Sequence, residues 1–267
     1  KFVVLQEIGE AADQPDDLVM ELAQTASFPD HPLGRPILGV EATLKSITRE
    51  DLISFAAASY VPRRTVVSVA GSFDRAAIEA VARRWLEPRA ALAAQSMLAP
   101  VQPKAHAATV SRKLEQTHLV LAHPGPSALS HDRFAARIFA EIFGGGMASR
   151  LFQEAREIRG LAYAIDAYAD TYADVGMLGV YAGCAAANAV ELAKITAAET
   201  LALAASVSET ELARAKALER RTTQQVAARA SPREMAYGLW GKSPKAVMGT
   251  SNTLFPRIAQ ILRGFTV

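Results

Sequence analysis

The chain has 267 residues, with 29 basic and 27 acidic side chains and a formal net charge of +2 at pH 7. That balance gives no reason to expect nucleic acid or an acidic membrane surface as partner. A single cysteine, Cys184, excludes an intramolecular disulfide, and no run of about 20 residues is free of charge, so no membrane-spanning helix is expected.

The length suits two domains of about 100–150 residues each. No signal peptide is visible, and the chain opens at Lys1 in sequence that already reads as structured. A fragment whose N-terminal part is missing is the expectation.

Residues 1–26 carry apolar positions at helical spacing (Val4, Ile8, Ala12, then Leu18 and Leu22), with a break expected over Asp13–Asp16 around Pro15. The stretch FPDHPLGRPILG (28–39) reads as a loop, because its prolines and glycines forbid a regular element. Within it, Gly34 and Gly39 read as backbone requirements and Arg35 as a structural ion-pair partner. Thr48, three residues before Asp51, marks a helix start, with the helix over 49–60. RTVVSVAGSF (64–73) reads as a β-branched strand, and Asp74 as the cap of a helix reaching Trp85. Residues 87–112, rich in Ala, Pro and Gln, form the expected linker region.

The second half starts a new pattern. A strand is expected over 117–125, a helix over 130–146 stopped by Gly144–Gly146, and a second helix ending at Gly160. Two strands follow, with a turn near Asp174–Gly176, then long helices over about 187–205 and 208–230. A further helix is expected from Ser231 and another over 251–263. Strands and helices in segregated runs indicate an α+β fold rather than a parallel βαβ sheet.

No HExxH, Walker loop, GxSxG or CxxC occurs, and GGG at 144–146 follows a helix rather than a strand, which argues against dinucleotide binding. The five histidines (His31, His106, His118, His123, His131) form no i,i+4 pair and read as packed or solvated side chains. Taken alone, Glu7 sits on a solvated helix face, Arg156 on a helix surface and Tyr163 in a core or edge strand.

Read together, VVLQEIGEAADQPDDL, HPLGRPILG, DLISFAAASYVPRRTVVSVAGSFD and GGGMASRLFQEAREIRGLAYAI, in this order, closely resemble the pitrilysin/insulinase family of zinc metallopeptidases. The nearest branch is similar to mitochondrial processing peptidase and its bacterial relatives, over roughly residues 1–230. The resemblance implies two similar domains, each a mainly antiparallel sheet with helices packed on one face, the first of them incomplete here. It divides the chain into the C-terminal half of the catalytic-type domain (1–88), a linker (89–112) and a second, non-catalytic substrate-binding domain (113–267).

In that family an HxxEH motif supplies two zinc-binding histidines and the glutamate base, and a later glutamate in a VIxxEI context completes the ligand set. VVLQEI matches that context, so the resemblance implies Glu7 as a zinc ligand. HxxEH itself is absent from residues 1–267. Zinc is therefore implied for the intact parent and not for this chain, which is expected to be inactive alone. REIRGLAY matches the family's arginine followed by a tyrosine seven residues on, which implies Arg156 and Tyr163 as substrate-binding residues.

The expected function is that of a fragment of a zinc-dependent endopeptidase acting on peptides or precursor segments. Its partners would be a peptide substrate held against a sheet edge and a second subunit in a homodimer or heterodimer. The rival reading is a non-catalytic scaffold or substrate-binding subunit of the same family. The alanine-rich composition points to a bacterial source, in cytoplasm or periplasm, with cytoplasm slightly favoured.

Overall fold

The computed structural model describes residues 1–69, 71–87 and 101–229. Helices α1 (Phe2–Asp13) and α2 (Pro15–Ser27) meet at Gln14, which is extended. Pro15 fits the first turn of α2, where its missing N–H costs nothing, and Asp16 and Asp17 complement the helix dipole there. The break therefore falls where Pro15 requires it.

After α2 the chain folds back on itself in one 3-10 turn, Pro32–Gly34. Gln24 Nε2 donates to the Leu33 carbonyl (3.0 Å) and Thr25 Oγ1 to the Gly34 carbonyl (2.8 Å). A Cβ on Gly34 would lie 2.2 Å from the Phe28 carbonyl oxygen, so only glycine permits this fold-back. Gly39 meets its backbone requirement differently, with φ +75°. Arg35 is exposed and, contrary to expectation, has no ion pair among the described residues.

A six-residue helix, α3 (Glu41–Ser46), was not foreseen. Helix α4 (Arg49–Ser59) opens with a capping box: the Asp51 N–H donates to Thr48 Oγ1 (3.1 Å) and the Thr48 N–H to Asp51 Oδ2 (2.7 Å). Helix α5 (Arg75–Leu86) is capped by Asp74, whose Oδ1 accepts from the Ala76 N–H at 2.8 Å.

Among the described residues of 64–73 the expected strand is not formed. Residues 65–69 join no ladder, and Val66 and Val67 are 66% and 53% exposed. β-branched composition makes a segment fit for a sheet, but a strand also needs a neighbouring edge. No described strand pairs with this segment.

The sheet has three antiparallel strands, β1 (Thr117–Gly125), β2 (Ala162–Thr171) and β3 (Gly176–Cys184), in the order β1-β3-β2. Helices α6 (Arg133–Phe143), α7 (Ala189–Ala205) and α8 (Glu209–Arg229) complete the second half. Phe139, Ile142 and Phe143 of α6 and Leu192 and Leu203 of α7 pack in one core with Ile165, Leu178 and Val180 of the sheet.

Phe28, with Leu33, packs against Met177, Val175 and Tyr168 in a second cluster. Met177 and Leu178 point to opposite sides of the sheet, so β3 is covered on both faces, which explains its almost uninterrupted apolar sequence. The α+β reading holds. Residues 88–100 of the expected linker region, and the helices expected from Ser231 and over 251–263, lie outside the described residues.

Candidate functional site

The segment joining α6 to β2 carries Arg156 and the start of β2 carries Tyr163, and the chain departs from regular geometry at both residues. Helix α6 stops at Gly144, where a Cβ would lie 2.4 Å from the Ala167 backbone nitrogen. Glycine lets the helix end press directly against β2. The next helical run was expected to be an ordinary α-helix. Instead, Phe152–Ile158 is a π-helix, with i→i+5 hydrogen bonding that widens the turn.

Arg156 stands in the last turn of this π-helix, exposed to solvent. Its guanidinium carbon lies 4.7 Å from the centroid of the Phe152 ring. Among the described residues no carboxylate pairs with it. Arg159, by contrast, is held by Glu154 (2.7 Å) and Glu191 (3.7 Å). The helix closes through Gly160 at φ +62°, with the Leu161 N–H donating to the Ala155 carbonyl at 2.8 Å. A left-handed glycine is the usual device at such an end.

Strand β2 begins immediately afterwards, and its first pairs against β3 are Ala162 with Cys184 and Ala164 with Gly183. Tyr163 is thus the extra residue of a β-bulge, a feature that re-aims a side chain. It is 60% exposed, and its hydroxyl has no hydrogen-bond partner among the described residues. A widened helix turn and a strand bulge, seven residues apart, leave one arginine and one phenol facing solvent with all their donors unused.

The other predicted ligand lies elsewhere in the fold. Glu7 is exposed on α1, which packs on α2 and α3. Among the described residues no group of three or more His, Cys, Asp or Glu side chains could hold a metal ion. His31 caps the 3-10 turn by accepting from the Leu33 N–H (3.2 Å), and His118 Nδ1 pairs with the Tyr181 hydroxyl (3.0 Å).

Two features were missed in the sequence. One is Phe152 under Arg156. The other is the row Asp166, Tyr168, Asp170, which the DAYAD alternation places on one side of β2. Burial pushes both aspartate pKa values above their usual range. The Tyr168 ring occupies the space a side chain at Gly179 would need, its hydroxyl is buried without a partner, and burial pushes its pKa up.

Residues 46–219 match the family described as the peptidase M16 inactive domain. A protein named as an uncharacterized zinc protease from Rickettsia felis is 38% identical over 215 residues, covering 80% of this chain and 52% of the relative. The crystal structure of a peptidase M16 inactive domain from Pseudomonas fluorescens superimposes with TM-score 0.78 at 21% identity, covering 96% of this chain and 65% of that one. A chain of complex III2 from Candida albicans has the same fold, with TM-score 0.73 at 19% identity, covering 98% and 65%. The chain spans about half the length of the curated relative it matches.

Proposed function

The chain belongs to the peptidase M16 family, and on that premise we propose that it is the substrate-binding part of a zinc-dependent endopeptidase acting on peptides or precursor segments. Arg156 and Tyr163 are the binding residues. The observation that carries the proposal is that both stand exposed and unpaired on adjoining irregular elements. A guanidinium offers five donors in a planar fork suited to carbonyl or carboxylate oxygens. A phenol offers one donor, suited to an oxygen that gains charge as a peptide bond is attacked.

Zinc belongs to this reading through the relatives named as zinc proteases. The described residues do not form a zinc site: Glu7 is a single exposed carboxylate without companion ligands. We carry Glu7 as one ligand of a zinc whose histidines lie outside residues 1–267, and no step on this chain runs through the metal. The residues here bind and orient a peptide, and the chain alone is inactive.

The proposed division into 1–88, 89–112 and 113–267 belongs to the same reading. So does a homodimeric or heterodimeric partner, and the complex III2 neighbour supports assembly within the fold. The rival is a non-catalytic scaffold or substrate-binding subunit of the same family: a pure scaffold has no use for two unpaired donors, whereas a substrate-binding subunit would share the binding role of Arg156 and Tyr163 without the catalysis.

The test is peptide binding by the purified chain, read by fluorescence anisotropy with a fluorescein-labelled casein-derived peptide. Arg156→Ala is expected to weaken binding about tenfold or more, the scale of one or two charge-assisted hydrogen bonds. Equal affinity of wild type and variant would overturn the assignment.

A further inference from the structure

We infer that Phe152 is a positioning residue for Arg156, pre-ordering its guanidinium to receive a peptide oxygen; the inference rests on the substrate-binding reading above. Three observations carry it. First, the guanidinium carbon lies 4.7 Å from the Phe152 ring centroid, inside the range of a cation–π contact. Second, Phe152 is half-buried and packs against the main core, so the ring is a fixed platform and not a second mobile side chain. Third, no carboxylate among the described residues pairs with Arg156, so no ion pair draws its guanidinium off the ring, and Glu154 of the same π-helix is engaged instead by Arg159 through Nε and Nη2, both at 2.7 Å.

A free arginine has many rotamers, and ordering them on binding weakens affinity. Stacking on an aromatic face removes part of that cost and leaves the in-plane N–H donors open, because a guanidinium that stacks face-on still hydrogen-bonds through its edge. The π-helix places the pair on its exposed side while keeping the ring root in the core. Phe152 touches no substrate; it acts through Arg156.

The purified chain provides two readouts. The Arg156 Nε–H proton resonance reports the ring directly. It is expected to be shifted upfield in wild type, to lose that shift in Phe152→Leu and to keep it in Phe152→Trp. Binding of the labelled casein-derived peptide reports the consequence. Phe152→Leu is expected to weaken it about two- to fivefold, the scale of an exposed cation–π contact, and Phe152→Trp to restore it.

In an Arg156→Ala background, Phe152→Leu is expected to add nothing, whereas a purely structural phenylalanine would cost the same in either background. An unshifted Nε–H proton in wild type overturns the inference. So does an equal effect of Phe152→Leu with and without Arg156. Weakening by Arg156→Ala but not by Phe152→Leu overturns the positioning role and leaves the substrate reading intact. Weakening by neither overturns the substrate reading, and the positioning role with it.

Discussion

Arg150 and Glu211 form a two-pronged ion pair, Nε to Oε1 at 2.7 Å and Nη2 to Oε2 at 2.9 Å, with only 18% and 20% of the two side chains exposed. Nη2 of Arg150 also donates to the Ser206 carbonyl at 2.8 Å, and Glu211 Oε2 accepts from the Ser208 N–H at 2.8 Å. The pair fastens the start of the helical run that carries Arg156 to the start of α8. Its hydrogen bond from Arg150, ahead of those from Ser208, holds the Glu211 carboxyl at about 2, against an ordinary value of 4.5. Because the folded-state value is the lower one, this stabilisation is fully present above about pH 4.5 and is lost as pH falls toward 2. Glu211→Gln is expected to cost about 1–3 kcal/mol at pH 7. In urea melts the gap between variant and wild type should close between pH 4.5 and 2; a gap that stays constant would contradict the assignment.

Phe28 is 1% exposed and meets Tyr172 edge-on, with ring centroids 6.3 Å apart. It fastens the N-terminal helices to the sheet. Phe28→Ala is expected to cost about 3–5 kcal/mol and to expose α1 and α2 to limited proteolysis before the sheet. Cleavage at wild-type rate would show that the helices are held by other contacts.

Gly160 has φ +62°, with open space where a Cβ would go. Gly160→Ala is therefore expected to cost about 1–2 kcal/mol through backbone strain alone. Gly160→Asn should cost less, because asparagine tolerates the left-handed region. Equal losses for the two would point to packing as the cause.

The purified chain should hold well under one zinc per molecule after dialysis against metal-free buffer, since Glu7 lacks companion ligands among the described residues. Metal analysis that finds one tightly held zinc per chain would overturn this.

The sequence disclosed the features that depend on neighbouring residues. Thr48 and Asp51 form their capping box, Asp74 caps α5, and Pro15 breaks the first helical stretch. Features that depend on distant segments were not disclosed. Val66 and Val67 have the composition of a strand, but a ladder is a relation between two segments, and no described segment supplies the second. The cover that Phe28 and Leu33 give to the second face of the sheet is likewise a long-range contact.

The site was legible in part. The seven-residue step from Arg156 to Tyr163 stands in the sequence, and its meaning came from resemblance. The π-helix and the bulge did not show, because each is defined by which backbone groups pair, which residue types alone do not reveal. Nothing in the sequence singles out Phe152, and only the structure places Arg156 over its ring.

The central claim is that Arg156 and Tyr163 serve a peptide held at this end of β2. Its most direct test is the kcat of Tyr163→Phe in a full-length protein that carries this chain. The account predicts that kcat falls about tenfold or more, as loss of an oxyanion donor does, with KM little changed. An unchanged kcat would contradict it.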